Sequence, residues 1–252
     1  YVGESIGSFY GYRWDGMFNS ASEVDAANQN ARDLARQNNP NISDEDLNNT
    51  YYISAQTAPG DFKFKDVNGD GQITDDDKEN LGSGNPTFSG GLNFSADYKG
   101  FDFSLNFAGV AGNKIHAAIE PVLLNASSFN NSRDILNHWT PDNQNTNVPR
   151  LTMNDPNFNY RASDRWLYDG AYLRCQNIIF GYTLPESLMG KVLKEVRIYA
   201  NAQNMFTISN YAFLDPEVRG SSVGAGDVDM GASVDIGSMP LPRTITFGIN
   251  AK

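Results

Sequence analysis

Two alternating runs joined by a two-residue link constrain this chain most. Leu92, Phe94, Ala96 and Tyr98 alternate with Asn93, Ser95, Asp97 and Lys99. After Lys99-Gly100 the pattern resumes: Phe101, Phe103, Leu105 and Phe107 alternate with Asp102, Ser104 and Asn106. Successive side chains of a strand point to opposite faces, so each run makes one apolar and one polar face. The link predicts a β-hairpin. The same period returns at Ile178, Phe180, Tyr182 and Leu184, and at Val196, Ile198, Ala200 and Ala202. It returns again at Ile245, Phe247, Ile249 and Ala251. Short links (99–100, 185–194) alternate with long polar ones (112–170, 209–242). That rhythm fits an outer-membrane barrel with short turns on one side and long loops on the other. A soluble β-sandwich also alternates apolar and polar faces, so the pattern alone leaves both open.

The remainder is less regular. Residues 1–19 are Gly- and aromatic-rich and predict extended loop with one or two short strands. Residues 20–38 predict a helix opened by a capping box of Ser20 and Glu23. Shorter helices are expected from Ser43 and over Ser132–Trp139, with 112–170 otherwise a long surface loop. No run of 18 apolar residues exists, which excludes a transmembrane helix and leaves barrel strands open. A net charge of -11 argues against nucleic acid and fits metal cations or neutral glycans. The single cysteine, Cys175, excludes an internal disulfide and a Cys-rich zinc site. His116 and His138 read as polar loop residues. No leader pattern opens at Tyr1, so a mature form, an engineered form or a fragment is expected.

One segment, 60–82, carries metal-like spacing. Asp66, Asn68, Asp70, Gln72, Thr74 and Asp77 occupy positions 1, 3, 5, 7, 9 and 12 of an EF-hand-like loop. Gly71 stands at position 6, where a sharp turn is needed, and Ile73 anchors the loop in a core. Oxygen ligands so spaced wrap one Ca²⁺, which offsets the repulsion among Asp66, Asp70 and Asp77. Gln72 contributes its backbone carbonyl, and the role is structural. An Asx-rich turn without metal is the other reading.

An ordered set of motifs resembles the SusC/RagA family of TonB-linked outer-membrane transporters. It begins with Pro59-Gly60-Asp61-Phe62 and Asp66-Val67-Asn68-Gly69-Asp70-Gly71, and continues through Gly90-Gly91-Leu92-Asn93 and Tyr98-Lys99-Gly100-Phe101. Pro149-Arg150-Leu151, Ser163-Asp164-Arg165-Trp166-Leu167 and Gly170-Ala171-Tyr172-Leu173-Arg174 follow. Gly181-Tyr182-Thr183-Leu184-Pro185, Gln203-Asn204-Met205-Phe206, Asp215-Pro216-Glu217-Val218 and Pro242-Arg243-Thr244 complete it. The resemblance implies an all-β fold: the C-terminal portion of a transmembrane barrel of about 22 strands when complete. Long extracellular loops and a few short helices belong to that picture. All of 1–252 is then barrel, with the plug and earlier strands absent. It also implies outer-membrane location in a Bacteroidota-like bacterium, a SusD-like lipoprotein lid, TonB acting through the missing plug, and import of oligosaccharides or peptides. The chain departs from the family's usual aromatic ending by stopping at Lys252. About five barrel-like strands are legible, against eight in the smallest closed bacterial barrels, so a truncated piece is expected.

Two other functions remain in view: a soluble calcium-stabilised carbohydrate-binding β module, and a secreted glycoside hydrolase. Tyr10, Tyr12, Trp14, Phe18, Trp139 and Trp166 serve either sugar stacking or packing. Asp61 and Asp66 form no recognisable catalytic pair, and neither Ser127-Ser128 nor Cys175 sits in a nucleophile motif. No enzyme is expected.

Overall fold

The computed structural model describes residues 3–127, 130–188, 193–218 and 233–252. Ser128, and parts of the 185–194 and 209–242 links, lie outside the described residues. The strands are β1 (Ser8–Gly11), β2 (Trp14–Met17), β3 (Phe62–Phe64), β4 (Glu79–Ser83), β5 (Phe88–Tyr98) and β6 (Phe101–Ala111). They continue with β7 (Lys114–His116), β8 (Leu167–Asp169), β9 (Tyr172–Thr183), β10 (Val196–Ser209) and β11 (Thr244–Ala251). The α-helices are α1 (Ala21–Asn38), α2 (Asp44–Asn48) and α3 (Ile119–Leu124). The chain divides into two compact units, 1–82 with 116–167, and 83–115 with 168–252.

The second unit is a five-stranded antiparallel sheet in the order β11-β10-β9-β6-β5. The five alternating runs in the sequence are these five strands. Lys99 at φ 49 and Gly100 at φ 88 both lie in the left-handed region, as a two-residue turn of the primed type requires. Pairing sets Phe103 opposite Ala96 and Phe180, and Ala200 opposite Phe180 and Phe247. Directly paired residues share a face, so the apolar sets of all five strands coincide. β9 extends back to Tyr172, beyond the legible alternation. Asn106 pairs with Asn177 but Phe107 pairs with Cys175, so β9 carries an extra residue at Gln176. Past this bulge the parity of β9 inverts: Cys175 and Leu173 continue the apolar face, Arg174 and Tyr172 the polar one.

The first unit has its own core of Tyr12, Met17, Phe62, Phe64, Ile73, Leu124, Trp139, Val148 and Trp166. β2 pairs with β3 and sets Trp14 opposite Phe64 and Met17 opposite Phe62. The Tyr52 hydroxyl donates to the Phe64 carbonyl and accepts the Phe64 N–H, and burial pushes that phenol well above its ordinary value. Helix α1 starts where the capping box predicted, although only half of the box forms there. Ser20 Oγ accepts the Glu23 N–H at 3.3 Å, while Glu23 reaches the Asn19 N–H at 3.1 Å rather than that of Ser20. At 18 residues, α1 fills nearly all of the 20–38 segment expected to be helical.

The expectation of a long surface loop over 112–170 is corrected by this unit. Leu124, Trp139, Val148 and Trp166 bring that stretch into the core. Its asparagines misled because they are buried as strand mimics. Asn159 Oδ1 accepts the Phe62 N–H at 2.7 Å and Asn157 Nδ2 donates to the Phe62 carbonyl at 3.0 Å. Side-chain amides thereby satisfy a backbone edge that another strand would otherwise satisfy. The helix expected over Ser132–Trp139 is a 3₁₀ turn, Arg133–Asn137, capped by Ser132.

Gly60 ties the segments together, and its N–H donates to Phe18 while its carbonyl accepts the Arg150 N–H at 2.9 Å. Its φ is +90°, and a Cβ there would lie 2.5 Å from the Trp139 ring. Gly60→Ala is therefore expected to destabilise the first unit by about 3 kcal/mol, through backbone strain and overpacking together. A melting temperature within a degree or so of the parent's, in thermal unfolding of the purified protein, would refute this.

Candidate functional site

The acidic loop is built by its own backbone. Asp66 accepts the Gly69 N–H at 2.7 Å on Oδ1 and the Gly71 N–H at 2.8 Å on Oδ2. Asn68 Oδ1 accepts from Asp70 N–H at 2.9 Å, and Asp70 Oδ1 from Gln72 N–H at 2.8 Å. Gly71 has φ +82°, and a Cβ there would lie 2.8 Å from Ala31 Cα, so glycine lets the loop press on α1. Ile73 is buried in the core, and its N–H donates to Tyr52 O at 2.7 Å, as an anchor should.

Asp77, at the last position of the loop, is held by the loop's backbone. It is fully buried; Oδ1 accepts the N–H groups of Val67 (2.8 Å) and Asn68 (3.4 Å), and Oδ2 that of Thr74 (2.7 Å). With Thr74 it forms a capping box that closes the 3₁₀ turn Asp75–Asp77. Among the described residues no three His, Cys, Asp or Glu side chains group so as to hold a metal ion. Asp66, Asn68 and Asp70 each turn oxygens into the loop, and an oxygen that accepts one N–H keeps a second lone pair for a cation. The side chains turned into the loop thus offer oxygens only.

The other expected residues fall into place as packing groups. Tyr12, Phe18, Trp139 and Trp166 are buried, which favours packing over sugar stacking; Tyr10 is exposed. Asp61 is fully buried and shares the Asn159 amide with Asp155, not with Asp66. Its two oxygens take Arg150 Nε at 2.9 Å and Nη2 at 3.0 Å, with Asn159 Nδ2 at 3.1 Å and the Ala58 N–H at 2.9 Å. Sequence reading missed this network because Asp61 and Arg150 stand far apart in the chain. The only signal was that both lie in the motifs that resemble the family.

The sheet offers two opposite surfaces. On one, Leu92, Phe94, Phe247 and Ile249 are 65, 54, 80 and 71% exposed. On the other, Asp102 pairs with Arg197, whose guanidinium lies where a Cβ on Gly181 would stand. Arg174 is buried on that side and pairs with Asp215 and, at 3.5 Å, with Glu217. Among the described residues no helix is long and apolar enough to cross a membrane, which says nothing of a β-barrel.

Comparison with known proteins accounts for this two-faced sheet. No family model matches the chain. It is 34% identical over 253 residues to TonB-dependent receptor P3 of Formosa agariphila, covering 99% of this chain and 22% of that protein. It is 27% identical over 224 residues to TonB-dependent receptor SusC of Bacteroides thetaiotaomicron, covering 85% of this chain and 20% of the relative. Over nearly its whole length the chain matches TonB-dependent receptors, SusC among them. The solved RagAB peptide transporter superposes over 99% of the chain with a TM-score of 0.64 at 20% identity, covering 24% of that chain, and shows the same fold. The chain spans about a fifth of the length of the curated relatives it matches. The curated relatives it matches are named as receptors, none of them as an enzyme.

His116, expected in a polar loop, packs instead against the Phe9 ring with centroids 6.0 Å apart, and burial pushes its imidazole below the ordinary 6.5. The folded state then binds this proton less well than the unfolded chain. The corresponding stability is fully present above pH 6.5 and is lost as the pH falls from 6.5 through the lower folded value. His116→Phe is expected to flatten the fall in melting temperature across that window. Parallel curves for variant and parent in a pH series would contradict it.

Proposed function

We propose that this chain is the C-terminal part of an outer-membrane importer: a barrel of about 22 strands when complete. TonB energises it through a plug that lies outside this chain. A SusD-like lipoprotein serves as its lid, and oligosaccharides or peptides are its cargo. The observation that carries the reading is the exposed apolar face of the sheet. β5 and β6 each run for 11 residues. At ~3.4 Å per residue and a tilt of ~40°, such strands rise about 28 Å, close to the ~25 Å apolar band of outer-membrane barrels. Leu92, Phe94, Phe247 and Ile249 then face lipid, and Asp102, Arg174 and Arg197 face the lumen. A soluble binding module would need a second sheet over that face. RagAB is a peptide importer, which favours uptake of peptides as the activity of the whole protein. The long connections 112–170 and 209–242 supply surface for lid or cargo.

The lipid-facing reading has a direct test. Phe94→Arg puts a charge on the apolar face at mid-strand, where it is expected to cost ~2–4 kcal/mol and lower the amount of heat-modifiable barrel in outer membranes. Ser95→Arg, one residue on, faces the lumen and leaves assembly unchanged. Equal assembly of the two variants would sink the proposal.

We also propose that the 60–82 loop takes one structural Ca²⁺ through Asp66, Asn68, Asp70, the Gln72 carbonyl, Thr74 and Asp77. The oxygen-only donor set and the two left-handed glycines support it. Calcium that binds only the folded state stabilises it by about 2.7 kcal/mol at a hundredfold excess over Kd. Millimolar calcium is expected to raise the melting temperature of the full-length protein, and Asp70→Ala to remove that response. A temperature indifferent to calcium and to a chelator would exclude the ion.

A further inference from the structure

Beside the acidic loop, within the first unit, lies a cavity of about 420 Å³ lined by Tyr12, Ile53, Ile73, Lys78, Phe158 and Arg161, among others. That volume is within the range of small-molecule sites. Lys78, Arg161 and Asp75 line it, and Asp155 lies within electrostatic reach of Arg161. Asp75 accepts the Tyr12 hydroxyl at 3.0 Å and pairs with Lys78 at 2.8 Å, and those contacts hold its carboxyl below the usual range. Lys78 and Asp75 therefore offset each other. Arg161 has no carboxylate pair among the described residues: Nε donates to the Phe158 carbonyl at 3.0 Å and Nη2 to the Asn157 carbonyl at 3.1 Å. Its guanidinium lies over the Tyr12 and Phe64 rings, 4.7 and 4.8 Å from their centroids. Burial there makes the cation costly enough to lower its affinity for its own proton. Asp155 and Asp75 act on it through space without forming an ion pair, so one face of this partly buried guanidinium is left at the cavity wall, where it can receive an anion.

The wall opposite is just as specific. Phe158 has φ +55°, a left-handed backbone that a bulky side chain adopts only at a cost. The ring is nevertheless 61% exposed, with the Arg161 guanidinium 5.5 Å from its centroid. The buried amides of Asn157 and Asn159 on either side fix this backbone, and they leave the ring at the cavity. An apolar face held next to a guanidinium matches a ligand with a planar or ring body and an acidic group.

We propose that this cavity binds a carboxylate-bearing small ligand, with Arg161 as the counter-charge and Phe158 stacking on the ligand body. A sugar acid and a peptide C-terminus both present that chemistry. The site does not depend on the importer reading, because it rests on the first unit alone.

The test uses the full-length receptor in detergent, titrated by calorimetry with glucuronate and with N-acetyl-diglycine, each beside its methyl ester. At least one acid is expected to bind saturably and about tenfold more tightly than its ester, the scale of one charge-assisted hydrogen bond. Arg161→Gln should erase the preference for acid over ester. Because Arg161 also packs on the core, Phe158→Gly provides a second arm. Glycine adopts φ +55° freely, so this variant should melt no lower than the parent and still bind the acid several-fold more weakly. Binding of glucuronate alone assigns a sugar acid, and of N-acetyl-diglycine alone a peptide terminus. Binding of both assigns recognition of the carboxylate itself. Acids that bind no better than esters, or Phe158→Gly with undiminished affinity, would overturn the proposal.

Discussion

The strand unit depends on parity. A strand shows its residues to alternate faces, so a five-stranded sheet has one apolar and one polar surface only if every register agrees. Here the Lys99-Gly100 turn fixes β5 against β6, and direct pairing carries the phase through β9 and β10 to β11. A slip of one residue at any ladder would turn phenylalanines to the polar side and Arg174 or Arg197 to the apolar one. The bulge at Gln176 is the exception that keeps the rule. It inverts β9 so that Arg174 reaches Asp215 and Leu173 stays among its apolar neighbours. The polar surface uses glycine in a matching way: Gly181 and Gly248 leave room for the Arg197 and Tyr199 side chains to lie across adjacent strands.

The first unit depends on a different constraint, the cost of burying polar groups. Asp61, Asn157 and Asn159 have essentially no exposed surface, yet each is hydrogen-bonded. Arg150 meets Asp61 with two parallel bonds, the geometry in which a guanidinium best repays burial of a carboxylate. Removing one partner would strand the other, so the network acts as a unit. It fastens the stretch 116–167 to β3 and places Trp139 against Gly60. The same logic governs the acidic loop, where the backbone N–H groups of a tight turn meet carboxylate oxygens.

Some of this was legible from local order alone. The five strands were found because period 2 is written into adjacent residues, and β11 begins and ends where its alternation does. The turn at Lys99-Gly100, the start of α1 at Ser20 and the acidic loop are likewise short-range signals. The 116–167 stretch was read as loop because asparagine is a loop residue by propensity. Propensity cannot report that an amide will replace a strand's backbone partner. The cavity beside Arg161 was also illegible, since Tyr12, Lys78 and Phe158 come from separated parts of the chain.

The sequence by itself determined the two-faced strands, the turn between the first pair and the acidic loop, because each follows from neighbours a few residues apart. It also carried the family likeness, through motifs in a fixed order. Only the tertiary structure decided which strands are neighbours, where β9 changes phase, and that Asp61 belongs to Arg150 and not to Asp66. Those outcomes join residues tens of positions apart. They are fixed by shared burial and complementary hydrogen bonds, for which no local pattern exists.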